Sequence, residues 1–213
     1  MTALLPKERH FVRSNGLAAS VRQMLRHLRN PQLVATYAVG FGVLFTFIGT
    51  FTYVNFRLAA PPFNLSPGFL GAIFVVYLAG SAVTPMSGRL VAAFGRRPLI
   101  TGVIGLWCIG LLLTLIPSLP AIILGLTVSA ASGFICQSVS TSFVAISAKE
   151  GHSSAVGLYV TCYYIGGSAG AALPGLAWNA AGWLGCVAVT LAMQVLMALT
   201  VWRFWTDIGR PQP

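Results

Sequence analysis

A serine set between glycines is the first feature of this sequence that suggests chemistry. Gly166-Gly167-Ser168-Ala169-Gly170 fits the G-x-S-x-G pattern that holds the nucleophile of serine hydrolases. Such a nucleophile needs a sharp strand-to-helix turn and a histidine base, but all three histidines lie outside the apolar stretch around Ser168. Small residues four apart also let membrane helices approach closely, so we favour helix packing for these glycines. An intramembrane serine hydrolase is kept as a minor alternative, and we predict no enzyme.

Uncharged polar side chains inside the apolar stretches are the candidates for contact with a small molecule. An unpaired polar group in a bilayer costs free energy, so it usually faces a neighbouring helix or a watery cavity. A glutamine amide cannot be satisfied by its own helix, whereas a serine or threonine hydroxyl often bonds to its own helix carbonyls. Two tyrosines one turn apart either line an aromatic cavity or fill a helix interface. The candidates are Thr50, Tyr53, Gln137, Thr141, Tyr159 and Tyr163.

Proton carriers and metal ligands are scarce in the sequence. Its three acids, Glu8, Glu150 and Asp207, all lie outside the apolar stretches. The four cysteines stand singly, without a CxxC pair or a Cys/His cluster at metal-ligand spacing. We therefore expect no metal site, no cofactor and no proton-carrying carboxylate within the membrane.

The composition indicates an integral membrane protein. Of 213 residues, 56% are hydrophobic and 8% are charged, whereas about a quarter of the residues are charged in soluble chains. The net charge of +10 would suggest nucleic acid in a soluble protein. Here the cations are better explained as topology signals, so we predict the lipid bilayer as a partner and no nucleic acid.

Six apolar stretches are long enough to cross the bilayer as helices, since a span needs roughly 20 residues. No alternation of period two indicates a barrel, so the predicted fold is an all-α bundle of six transmembrane helices. Residues 1–32 form a leader and residues 206–213 a tail. The predicted spans are 33–56, 67–87, 98–116, 120–147, 155–178 and 182–205.

The leader has apolar residues at helical spacing. Leu17, Val21, Met24, Leu25 and Leu28 recur at helical spacing, with arginines on the other faces. This pattern fits a helix on an anionic membrane surface, and a solvated, partly helical linker explains it equally well.

The distribution of cations predicts the orientation. Twelve of the thirteen Lys and Arg residues lie in the leader, the second and fourth loops or the tail, and only Arg57 lies in the first loop. Positive charge marks the cytoplasmic side, so both termini are predicted to be cytoplasmic. Pro85 and Pro174, late in their spans, are candidate kinks.

The loop from Gly88 to Pro98 carries the sharpest motif. Gly88, Gly95, Arg96 and Arg97 match the cytoplasmic signature loop that it resembles, that of the major facilitator superfamily, although Ala92 stands where the family has an acid. The alternative is that the arginines are only positive-inside anchors.

The resemblance extends along most of the chain. Leu5–His10 resembles the segment that closes the N-terminal half of such transporters, and Leu28–Pro31 resembles the entry to their seventh helix. Leu158–Ser168 resembles the eleventh helix of bacterial efflux permeases. Together these segments imply helices seven to twelve of a twelve-helix protein, which is one half of the family fold built as a 3+3 inverted repeat.

The resemblance also implies a function. We expect the C-terminal half of a bacterial inner-membrane transporter that exports a small organic compound, by proton-coupled antiport when complete. Its implied partners are the substrate and an N-terminal six-helix half or a second copy. In the family, the seventh and tenth helices border the substrate path, which places Thr50, Tyr53, Gln137 and Thr141 along it. The alternative is a non-transporting fragment or a six-helix module that associates with another protein.

Overall fold

The computed structural model describes residues 17–148 and 150–205, with side chains from residue 21 onward. Its regular structure is helical and the described residues contain no strand, which confirms the predicted all-α fold. Among the described residues, five continuous helical segments are long and apolar enough to cross a membrane, and the last of them, His152–Phe204, contains two helices joined at a kink. Leu5–His10, Lys149 and the tail 206–213 lie outside the described residues. The helices are α1 (Leu17–His27), α2 (Pro31–Ala59), α3 (Pro67–Phe94), α4 (Arg96–Leu113), α5 (Leu119–Ser147), α6 (152–180) and α7 (183–204).

A cap and a proline separate α1 from α2. The Asn30 side chain accepts hydrogen bonds from the backbone N–H of Gln32 at 3.0 Å and of Leu33 at 3.5 Å. Pro31 occupies the first turn, where its missing N–H costs nothing. The first long helix therefore begins at Pro31, with α1 only three residues before it.

The last helical segment, His152–Phe204, is 53 residues long and forms a hairpin of two helices, not one continuous helix. A continuous helix of that length would extend roughly 80 Å, whereas the hydrocarbon core is about 30 Å thick. Ala181 and Gly182 leave helical geometry, and Gly182 has a φ of 57°, which glycine adopts without strain. The Cys186 thiol then donates to the Pro174 carbonyl at 3.2 Å, so α7 runs back along α6.

The helix α3 is less regular than the others. It contains 3₁₀ turns at Ile73–Val76 and at Thr84–Met86, and the second includes Pro85. Most of this helix is exposed, with Phe69, Leu78 and Phe94 each more than half accessible. Pro174, by contrast, lies buried inside α6.

Helix α2 packs chiefly against α6 and α7. At Gly166 an added Cβ would lie 2.1 Å from the Phe41 carbonyl oxygen, and at Gly170 a Cβ would lie 2.3 Å from that of Phe45. At Gly167 an added Cβ would instead meet a side chain, 2.6 Å from the Leu44 Cδ2. The glycines therefore let the α6 backbone rest on the α2 backbone, as in other close membrane-helix crossings.

Arg57, predicted to lie in the first loop, lies in the last turn of α2 and joins three helix ends. Arg57 donates to the carbonyls of Thr114 at 2.5 Å and Leu115 at 3.1 Å, just beyond the end of α4. Trp183, at the start of α7, donates to the Thr114 hydroxyl at 3.2 Å. Carbonyls at a helix C-terminus lack partners within the helix, so a cation there satisfies and stabilises them.

The remaining described cations lie toward the opposite end of the bundle. Arg97 donates to the Trp202 carbonyl, which connects the start of α4 to the end of α7. Arg26 of α1 forms an ion pair with Glu150, between α5 and α6, at 3.1 Å. One end of the bundle thus holds α1 and the basic loops, and the other holds Arg57.

Candidate substrate cavity

A cavity of about 240 Å³ opens between α2, α3, α5 and α6. Most of its lining side chains are half-buried and apolar, with one amide and two phenols among them. The lining residues are Val43, Leu44, Phe47, Ile48, Tyr77, Gly133, Phe134, Gln137 and Tyr163.

Gln137 is the polar centre of this cavity. The buried Tyr159 hydroxyl donates to the side-chain amide oxygen of Gln137 at 2.7 Å. Within the described part of the chain, the Gln137 NH₂ group forms no hydrogen bond. An amide whose oxygen is occupied presents its two N–H donors, so Gln137 is suited to bind a hydrogen-bond acceptor.

Tyr159 and Tyr163 support the amide from α6. Their rings stack with centroids 6.2 Å apart. Tyr163 lines the cavity directly, whereas Tyr159 does not line it and is connected to it through the hydrogen bond to Gln137. The Tyr159 ring rests on Gly40 of α2, where a Cβ would come within 2.5 Å of it. The predicted candidates Gln137, Tyr159 and Tyr163 therefore lie together.

The other predicted pathway residues are not among those that line the cavity. Thr50 is buried, its hydroxyl has no hydrogen-bond partner among the described residues, and it does not line the cavity. The Tyr53 hydroxyl donates to the Ala171 carbonyl at 2.6 Å, and its ring packs near Phe56 and Trp178. Thr141 donates at 2.8 Å to the backbone carbonyl of Gln137, which is the local bond that threonine often makes, and its hydroxyl also interacts with that of Tyr159.

Three aromatic residues complete the cavity and were absent from the sequence-based candidates. The Phe47 ring centroid lies 5.1 Å from that of Tyr77 and 5.9 Å from that of Phe134. A phenylalanine within an apolar helix gives no sequence signal that separates a cavity wall from ordinary packing. Tyr77 did carry a sequence signal, because a polar hydroxyl inside a predicted span is a candidate for contact with a cavity.

The cavity is electrically neutral. Its lining includes no acid, histidine or cation. Glu150, the one acid in the part of the chain that the structure describes, lies on the surface in its ion pair with Arg26. A small molecule in this cavity would meet aromatic faces and amide donors.

The signature loop lies at the α1 end of the bundle, between α3 and α4. Gly95 has a φ of 82° and separates the two helices, which explains a glycine there. Arg97 contacts the Trp202 carbonyl, whereas the Arg96 Nε is buried without a partner. Gly88 is exposed, with open space around it.

The comparison with protein families decides the identity of the fold. The model of the Major Facilitator Superfamily matches residues 39–213. This chain belongs to the Major Facilitator Superfamily. The resemblance seen in the signature loop is thereby confirmed, and so is the assignment as a multi-pass membrane protein of a transporter family.

Several curated relatives are transporters by name. YnfM of Escherichia coli strain K12, an inner membrane transport protein, is 32% identical over 202 residues, covering 93% of this superfamily member and 48% of YnfM. YybF of Bacillus subtilis strain 168, an uncharacterized MFS-type transporter, is 31% identical, covering 92% of the chain and 48% of its own length. An uncharacterized transporter of Buchnera aphidicola subsp. Schizaphis graminum is 31% identical over 176 residues, covering 81% and 43%.

The chain spans about half the length of the curated relatives that it matches. No solved structure matches it.

Proposed function

We propose that this chain is the C-terminal half of a secondary transporter and that the Gln137 cavity forms one wall of its substrate path. The observation that carries the proposal is a single amide with free donors inside a neutral, aromatic cavity. Such a surface suits a small organic compound that is mostly apolar and carries a hydrogen-bond acceptor. We propose export across a bacterial inner membrane as the direction of transport.

The proposed partner is an N-terminal six-helix half, with a second copy of the chain as the alternative. Helices α3 and α6 flank the cavity and expose large apolar side chains, including Leu78, Tyr164 and Ile165. In the family, substrate is held between two halves near the bilayer midplane. A partner half that covers these faces would close the cavity into a pathway.

Proton coupling would depend on the partner half. No acid or histidine lies within α2 to α5 or between residues 153 and 204. Since antiport needs a group that binds and releases a proton, we propose that this group belongs to the other half.

We also propose that the chain has no enzymatic activity. Ser168 lies within α6 and donates at 3.1 Å to the Tyr164 carbonyl of its own helix. That setting lacks the strand-to-helix turn of a hydrolase nucleophile. Labelling of Ser168 by a fluorophosphonate probe would instead support the hydrolase alternative.

The transport proposal predicts that the chain is inactive alone and active with a partner half. In inverted vesicles, we expect no proton-dependent uptake of any compound in a panel of apolar, acceptor-bearing molecules by the chain alone. Co-expression with the N-terminal six-helix half of a relative should give proton-dependent uptake, and fusion of the two halves into one chain should raise the rate of uptake. Transport by the purified monomer would contradict the half-chain proposal, and inactivity of the folded, fused assembly would favour the non-transporting module.

The proposed orientation predicts where single cysteines react. In a variant without its four native cysteines, Phe94→Cys should resist an impermeant thiol reagent added outside intact cells, and Asn64→Cys should react. Phe94 is exposed at the end of α3 and Asn64 is exposed in the loop between α2 and α3, so we expect accessibility to differ only through the membrane side. Labelling of Phe94→Cys from outside would reverse the orientation inferred from the cations.

A further inference from the structure

A second cavity lies outside the proposed substrate path. It is a groove of about 520 Å³ between α2, α6 and α7, and it shares no lining residue with the Gln137 cavity. It lies at the end of the bundle that carries α1, because Leu28 after α1 closes one side of it. The other lining residues include Val34, Tyr37, Ala38, Met193 and Leu196.

The groove has an apolar wall. Its lining is almost wholly aliphatic and aromatic. Tyr37 is 3% exposed and its hydroxyl is inaccessible, so this residue adds only apolar surface to the groove. Such a lining would complement the apolar chain of a ligand.

Free positive charge lies beside the same groove. Arg29 follows Leu28 directly, and Arg22 lies on α1. Both side chains are exposed, and neither forms an ion pair or a hydrogen bond with another described residue, whereas Arg26 is paired with Glu150. These two arginines are therefore available to an anion.

The position of α1 limits which anion can reach the groove. Only residues 28–30 separate α1 from the membrane-crossing α2, so the groove opens where the hydrocarbon core meets the headgroups. Val21 and Leu25 on α1, and Leu28 just after it, expose apolar side chains at this level. An apolar groove at that depth, next to unpaired arginines, matches the chemistry of a lipid with a negative headgroup.

We infer that this groove is a binding site for one anionic phospholipid of the leaflet on the α1 side. An acyl chain fills the space between α2 and α7, and the Arg29 guanidinium binds the phosphate. The site shares no lining residue with the substrate cavity.

The test measures lipid retention by the full chain. The protein is purified from vesicles of phosphatidylcholine mixed with phosphatidylglycerol, and bound lipid is counted by native mass spectrometry. We expect one phosphatidylglycerol to be retained in preference to phosphatidylcholine. Arg29→Gln should lower that preference about fivefold, which is the contribution of one arginine near an anionic surface.

Matched variants distinguish lipid binding in this groove from the general attraction of anionic lipid to a basic protein. Arg89→Gln removes the same charge from an exposed position on α3 and should leave retention unchanged. Ala38→Phe, at an exposed position within the groove, should displace the lipid, whereas Ala82→Phe on α3 should not. Equal losses for Arg29→Gln and Arg89→Gln, or full retention by Ala38→Phe, would overturn the inference.

Discussion

Valine at Gly166 should force α6 away from α2 and destabilise the bundle more than any substitution of an exposed residue. The new Cβ would lie 2.1 Å from the Phe41 carbonyl oxygen. That oxygen belongs to the α2 backbone and cannot move aside as a side chain could. Overpacking a close interface costs roughly 1–3 kcal/mol, and a backbone contact belongs at the upper end.

The measurement is the Tm of the purified chain in detergent, with Gly157→Val as the control. Gly157 lies on the same helix, and a Cβ there meets nothing within 4 Å. Both variants change helix propensity equally, so the difference in Tm between them reports the crossing alone. Equal Tm values would show that α6 and α2 do not make this close contact in the membrane protein.

Helix positions could be predicted from sequence because the apolar stretches are long and separated by charged or turn residues. Hydropathy does not show where a helix ends once it leaves the apolar region. The second span was predicted to end at residue 87, whereas α3 continues past Arg89 to Phe94. It stops at Gly95, whose positive φ ends the helix irrespective of hydropathy.

The cavity could be predicted only in part, because a helix that is apolar on all sides has no face for periodicity to reveal. Gln137 stood out since an amide must find partners outside its own helix. Thr50, Tyr53 and Thr141 carried the same polar signal, but their environments depend on how the helices rotate. Only the packed structure shows that Tyr53 bonds to Ala171 and that Thr141 bonds to its own helix.

The amide of Gln137 should decide which compounds an active assembly transports. Gln137→Leu keeps a similar volume and removes both the donors that face the cavity and the acceptor of the Tyr159 hydroxyl. Loss of one hydrogen bond to a neutral acceptor costs about 1 kcal/mol, or roughly fivefold in transport efficiency. We therefore expect a selective loss for acceptor-bearing compounds and a smaller change for purely apolar ones.

Two further variants separate substrate binding from support of Tyr159. Tyr159→Phe removes the same internal hydrogen bond but leaves the Gln137 amide in place, so its substrate profile should stay close to that of the unmodified protein. Thr127→Val, also on α5, removes a hydroxyl that donates at 2.8 Å to the Ile123 carbonyl of its own helix and should change little.

The measurement is efflux of a panel of compounds, each with or without an acceptor group, at matched levels of protein in the membrane. If Gln137 binds substrate, Gln137→Leu alone should reorder the panel, because only that variant removes the free donors. If Gln137 merely holds the buried tyrosine, Gln137→Leu and Tyr159→Phe should lower every rate together, through the cost of a disturbed α5–α6 interface. An unchanged order of compounds in Gln137→Leu would therefore remove this amide from the substrate path and leave the aromatic residues of α2, α3 and α5 to determine selectivity by shape alone.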